Sequence, residues 1–251
     1  MKRTITLLAA AASIALGPSP VSAKDHDRIE NVVLVHGAAM DGSSWRKVYD
    51  ILVRKHYTVS VVQLPLSNLD ADIAATRKVI ARQDGPVVLV GHSYGGAVIT
   101  AAGTDPKVKS LVYVAAIQPD TRESVGELNA RWPLPGHVLM VDETSLIVDP
   151  VMFKHDVADD LPTADAHYLA ASQRPTSVSV FSAKLPTAAW RAKPSFGIIA
   201  QDDRTLSPEM LRTLYRRSHT ITVEIPGSHL IQISQPRKVA DVVIRASEVD
   251  Y

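Results

Sequence analysis

The chain alternates between short unbroken apolar runs and longer amphipathic stretches. The runs at 32–35, 57–64, 86–90, 108–116, 196–200 and 220–225 are rich in Val, Ile and Leu and almost free of charge. These runs predict strands, and the uncharged run at 86–90 predicts one buried on both faces. Between them the period changes to that of a helix. Trp45, Val48, Ile51 and Leu52 predict a helix over 45–55, with Asp41-Gly42-Ser43-Ser44 as the turn and N-cap before it. Ile73, Ala74, Arg77, Val79 and Ile80 predict a second over 70–83, stopped by Asp84-Gly85-Pro86. A short apolar helix over 97–103 ends at Gly103, Ser207-Pro208-Glu209 opens one that runs to 217, and a last helix covers 236–246. Strand–helix alternation of this kind predicts an α/β fold, a mostly parallel central sheet flanked by helices on both faces. Ligands of such sheets bind beyond the carboxyl ends of the strands.

The rhythm stops at Gln118. From there to about 195 the chain is irregular and carries Pro119, Pro133, Pro135, Pro150, Pro162, Pro175 and Pro186. This stretch is expected to be a cap insertion covering the rim of the sheet. Within it the pattern predicts a hairpin over 137–148 and short helices over 150–160 and 163–172. The second is expected to start at a Thr163 N-cap with Asp165 in its first turn. Trp132, Leu134, Met140, Met152, Phe153, Tyr168 and Phe181 are expected either to line and support an apolar pocket or to form only the insertion's own small core. His137, His155 and His167 lack metal-ligand spacing, so no metal is expected there.

Composition narrows the function. Lys and Arg number 27 against 26 Asp and Glu, and aromatics are 5% of the chain, which argues against a nucleic-acid partner. There is no cysteine, so thiol catalysis, disulfides and cysteine-held metals are excluded. At the N-terminus Lys2 and Arg3 precede an apolar run over 4–16, then Gly17, Pro18, Pro20 and the small-x-small sequence Val21-Ser22-Ala23. This is the pattern of a bacterial secretory signal, too short to span a bilayer. The expectation is a signal peptide at 1–23 and a periplasmic or secreted mature domain at 24–251, without membrane attachment. Nothing in the pattern speaks to oligomeric state.

The candidate chemistry sits at strand ends. Gly91-His92-Ser93-Tyr94-Gly95-Gly96 lies between the 86–90 strand and the 97–103 helix. A strand that turns at once into a helix forces the middle residue into a strained conformation and holds its hydroxyl above the sheet. Asp202 and Asp203 follow the 196–200 strand, and Gly227-Ser228-His229 follows the last one. The order Ser93, Asp203, His229 is the one expected of a nucleophile, an orienting acid and a general base on this kind of sheet.

These segments resemble the α/β-hydrolase superfamily, in its small esterase and hydroxynitrile-lyase-like branch. The resemblance rests on Val35-His-Gly-Ala-Ala-Met-Asp-Gly-Ser-Ser-Trp45, on Gly91 to Gly96, on Tyr113-Val-Ala-Ala-Ile-Gln-Pro-Asp120, on Asp202-Asp-Arg-Thr-Leu-Ser-Pro208 and on Gly227-Ser-His229. It implies a catalytic Ser93, His229 and Asp203, with Asp202 as the alternative acid, and no cofactor. It implies an oxyanion hole from the backbone N–H groups of Ala38 and Tyr94. The implied activity is serine hydrolysis of small esters through an acyl-enzyme. A lyase of the hydroxynitrile type, or a binding protein that keeps only the fold, are the alternatives. The plant hydroxynitrile lyases imply a threonine at Gly37 and a lysine at Leu230, and this chain has neither. Lys154 or Lys184 is the remaining candidate for a replacement ammonium.

Overall fold

A computed structural model describes residues 28–250; the expected signal peptide lies outside the described residues. In chain order the first half contains β1 (Asn31–Val35), α1 (Arg46–Arg54), β2 (Thr58–Val62), α2 (Leu69–Ala81), β3 (Val87–His92), α3 (Gly95–Ala102) and β4 (Val108–Val114). Then come α4 (Val125–Arg131), β5 (Val138–Met140), β6 (Ser145–Val148), α5 (Phe153–Val157), α6 (Thr163–Ala171), β7 (Thr176–Ser177) and α7 (Ser179–Ser182). The chain closes with β8 (Ser195–Ala200), α8 (Pro208–Arg217), β9 (Ile221–Ile225), α9 (Ile231–Ser234) and α10 (Pro236–Ser247).

Six strands pair in the order β2-β1-β3-β4-β8-β9, every pair parallel. β3 is central and buried along its whole length, which is why its sequence is an unbroken apolar run rather than an alternating one. The two faces carry separate apolar layers. Leu89, Tyr113 and Ile199 pack against α2, α3 and α8 on one side; Val88, Val112 and Ile198 pack against α1 and α10 on the other. Each fully buried Val or Leu contributes about 1.5–3 kcal/mol relative to an exposed one. The sheet is therefore a rigid base, and β1, β3, β8 and β9 all end on the same rim.

The segment between β4 and β8 adds no strand to the main sheet. It forms its own three-stranded sheet, β5-β6-β7, in which β5 and β6 are the expected antiparallel hairpin. Several local expectations need correction. Pro162 occupies the N-cap of α6 with no side-chain cap, so Thr163 is its first helical residue and not its cap. The helix expected over 150–160 is confined to α5. α4 falls where irregular chain was expected, although Ser124 and Glu127 form a reciprocal capping box that opens it. α7 and α9, each four residues long, are too short to show a period. The helix expected from Trp45 begins as a 3-10 turn over Gly42–Trp45, opened by Asp41 accepting the Ser43 N–H.

Candidate active site

Ser93 sits at the turn between β3 and α3 with φ +54, a left-handed conformation that a residue with a Cβ adopts only under constraint. The tightness of the turn explains its glycines. A Cβ at Gly91 would lie 2.6 Å from the Gly95 carbonyl oxygen, and one at Gly95 would lie 2.7 Å from that of His36. The result is a serine side chain presented to an open cavity.

His229 arrives on the loop after β9. Gly227 turns that loop with φ +147, where a Cβ would meet Ile231 Cδ1 at 2.6 Å and Asp160 Oδ2 at 2.8 Å. His229 Nε2 lies 2.8 Å from Ser93 Oγ, and its Nδ1 lies 2.8 Å from Asp203 Oδ2. A carboxylate only accepts, so Nδ1 carries the proton and Nε2 is the acceptor for the serine hydroxyl. Asp203 Oδ1 accepts the N–H groups of Thr205 at 2.8 Å and Leu206 at 2.9 Å, which fixes the carboxylate in place. Asp203 and His229 are both buried. Asp202 takes no part in this chain of bonds: it is exposed, and its Oδ2 accepts the Gly227 N–H at 3.0 Å. Asp120, in the loop after β4, is committed to Arg191.

Ala38 and Tyr94 both line the cavity with Ser93 and His229. The peptide that carries the Ala38 N–H also carries the Gly37 carbonyl, which accepts a 2.8 Å bond from His36 Nδ1. Leu64 N–H donates to the other ring nitrogen at 3.0 Å, so His36 is a neutral, doubly bonded imidazole. Its burial lowers its pKa to about 4. Tyr94 is held through its phenol, which donates to Asp72 at 2.7 Å, and burial raises the pKa of that carboxyl. His92, next to the serine, donates from Nε2 to the His229 carbonyl oxygen at 3.0 Å. Burial first, and the neighbouring His229 second, keep its pKa well below the ordinary value. None of the roles of His36, Asp72 and His92 was visible in the sequence, because each partner is distant in the chain or is backbone.

The cavity has a volume of about 400 Å³. Ile117, Val125, Trp132 and Phe181 line it on one side, and Met40, Phe153, Val157 and Leu230 belong to a separate apolar cluster on the other. Leu134 also lines it. Met140, Met152 and Tyr168 do not; Met140 and Tyr168 are exposed. His137 and His155 both bond the Asp156 carboxylate, at 2.8 and 2.7 Å, and hold the pKa of this buried acid down. Among the described residues no group of three or more His, Cys, Asp or Glu is arranged to hold a metal ion. Among them, too, no helix is long and apolar enough to cross a membrane.

A family model described as "Alpha/beta hydrolase family" matches residues 32–242. The chain belongs to the alpha/beta hydrolase family. The chain is similar to Methylesterase 8 of Arabidopsis thaliana, with 25% identity over 248 residues, covering 87% of this chain and 90% of that protein. It is also similar to the pyrethroid hydrolase of Sphingobium wenxiniae, with 25% identity over 247 residues and 86% of each chain covered. Among solved structures, polyneuridine aldehyde esterase superposes with a TM-score of 0.75 at 21% identity, covering 87% of this chain and 99% of that one. The central sheet and its flanking helices are thus the alpha/beta hydrolase fold.

Proposed function

We propose that this hydrolase is a carboxylesterase that cleaves small, uncharged esters through an acyl-enzyme on Ser93. The observation that carries the proposal is the unbroken hydrogen-bonded chain Ser93–His229–Asp203 at the cavity wall. The names of two relatives, a methylesterase and a pyrethroid hydrolase, support the same reading. In the proposed first step His229 Nε2 takes the hydroxyl proton as Ser93 Oγ attacks the ester carbonyl. Asp203 stabilises the imidazolium and holds its tautomer. The N–H groups of Ala38 and Tyr94 receive the oxyanion, an interaction worth about 3–4 kcal/mol per donor in comparable sites. His229 returns the proton to the leaving alcohol. Water, activated by the same imidazole, then releases the acid and frees Ser93.

The segment between β4 and β8 is proposed to act as a cap that selects substrates, because its Trp132, Phe153 and Phe181 form cavity walls. Residues 1–23 are proposed to export the enzyme to the periplasm or medium. The lyase alternative needs a cation beside the leaving group. Lys154 instead donates to the carbonyls of Asp159 and Leu161, and Lys184 pairs with Glu127; neither lines the cavity. Arg204 does line it, but its guanidinium is bonded to Asp159 and to the His155 carbonyl. Leu230, buried next to His229, has no charge to offer. Turnover of p-nitrophenyl acetate or butyrate alongside mandelonitrile tests the choice. Ester hydrolysis with negligible cyanide release supports the esterase; faster cyanide release, lost in Ser93→Ala, overturns it.

A further inference from the structure

We infer that Thr176, which belongs to the segment between β4 and β8, is a positioning residue for the oxyanion hole. That segment thereby controls the rate of the chemical step as well as the shape of the pocket. The inference rests on the esterase reading given above.

Ala39 directly follows the Ala38 donor. Ala39 has φ +58, a left-handed conformation disfavoured for any residue with a Cβ. Such a conformation persists only where its surroundings over-determine it. Here both of its peptide groups are held by chain that comes far later. The Ala39 N–H donates to Thr176 Oγ1 at 2.9 Å, across a separation of 137 residues, and the Ala39 carbonyl accepts from the Arg174 N–H at 3.1 Å. His36 fixes the peptide plane that bears the Ala38 N–H, and Thr176 fixes the next one. Together they define where that donor points.

The same strip of chain reaches the second donor by another route. Ser177 N–H donates to the Leu66 carbonyl at 2.9 Å. Leu66 N–H donates to Asp72 Oδ1 at 2.8 Å, and Asp72 Oδ2 accepts the Tyr94 phenol. β7 also pairs with β6, and in that register Thr176 stands opposite Leu146, a cavity-lining residue. One short strand therefore connects the pocket wall to the supports of both oxyanion donors. Preorganised donors stabilise a developing charge only if they are already in place, so a small displacement of either costs rate rather than binding.

Thr176 is fully buried, so a change that keeps its shape isolates the hydroxyl. Thr176→Val removes the acceptor at nearly constant volume; Thr176→Ser retains it. With p-nitrophenyl butyrate, Thr176→Val is expected to lower kcat about tenfold or more while KM stays within about twofold. A trifluoromethyl ketone that mimics the tetrahedral adduct is expected to lose affinity by the same factor as kcat/KM. Thr176→Ser is expected to recover most of the loss. If valine gives no folded protein, Thr176→Cys, close in volume and a weak acceptor, carries the same expectation. A folded valine or cysteine variant with wild-type kcat would overturn the inference and leave the esterase reading standing. So would a serine variant as poor as the valine one, or a loss confined to KM. A wild-type protein without ester hydrolysis would remove the esterase reading itself, and this inference with it.

Discussion

His229 Nδ1 lies 2.8 Å from Asp203 Oδ2, while Asp202, one residue earlier, turns away and accepts the N–H of Gly227. The two adjacent carboxylates thus hold two different things, the imidazole and the turn that delivers it. Asp203→Asn replaces the acceptor with an amide that can present a donor to Nδ1, which favours the unproductive tautomer. The fold should survive, and kcat should fall by orders of magnitude, about 10⁴-fold in a comparable triad. Asp202→Asn keeps an oxygen for the Gly227 N–H and is expected to cost less than about tenfold. Steady-state kinetics of the two variants decide the matter; the reverse ranking would move the acid to Asp202.

Gly37 packs against Ser93 itself. A Cβ there would lie 2.9 Å from Ser93 Cβ and 3.1 Å from His92 Nδ1. The threonine found in the lyases would therefore press on the serine and its neighbour. Gly37→Thr is expected to lower kcat/KM for p-nitrophenyl esters by about 10²-fold, the cost of a displacement of roughly 1 Å at a reacting atom. Unchanged kinetics in a folded Gly37→Thr protein would show that the turn has room to yield.

His36 ties the pH dependence of stability to the loop that carries Gly37 and Ala38. Its pKa is lowered by burial to about 4 from an ordinary 6.5. As pH falls below 6.5 the unfolded chain takes up this proton and the native protein does not. The contribution of the neutral imidazole is therefore complete above pH 6.5 and is lost as pH drops toward 4, by about 3 kcal/mol in all. His92, also lowered by burial, acts in the same direction. Urea unfolding midpoints should decline over that interval, less steeply toward its acid end, where Asp72, its carboxyl raised by burial, takes up a proton in the native state and acts in the opposite direction. A midpoint independent of pH there would mean that His36 is not buried as a neutral ring.

The main sheet was legible because its central strands are covered on both faces, and burial on both faces leaves an uninterrupted apolar run. The turn at Ser93 was legible because its marks in the sequence lie together between Gly91 and Gly96, although Gly95 also clears the distant His36 carbonyl oxygen. α4 was legible in principle, since the Ser124–Glu127 box is a local signal, but prolines nearby masked it. Exposed Met140 and Tyr168 look in sequence like Phe153 and Phe181, which do line the cavity; hydrophobicity alone does not say which side of a small sheet or helix is covered. Thr176, Asp72 and His36 act through partners set by the fold, and an isolated threonine, aspartate or histidine carries no mark of such a partner.

Export is a prediction of the first 23 residues alone. The basic start, the apolar run and Val21-Ser22-Ala23 lead to a mature chain beginning at Lys24 outside the cytoplasm. Intact mass of the protein recovered from a bacterial periplasm should match residues 24–251. A product there that retains Met1 would refute cleavage.

The central claim is that Ser93 is the nucleophile, activated by His229 across 2.8 Å. Incubation with a fluorophosphonate followed by peptide mapping tests it most directly. The expected result is one covalent adduct on Ser93, formed in step with loss of p-nitrophenyl butyrate hydrolysis, with both adduct and activity absent from Ser93→Ala. Labelling that persists in Ser93→Ala, or an adduct on Ser43 or Ser228 instead, would contradict it.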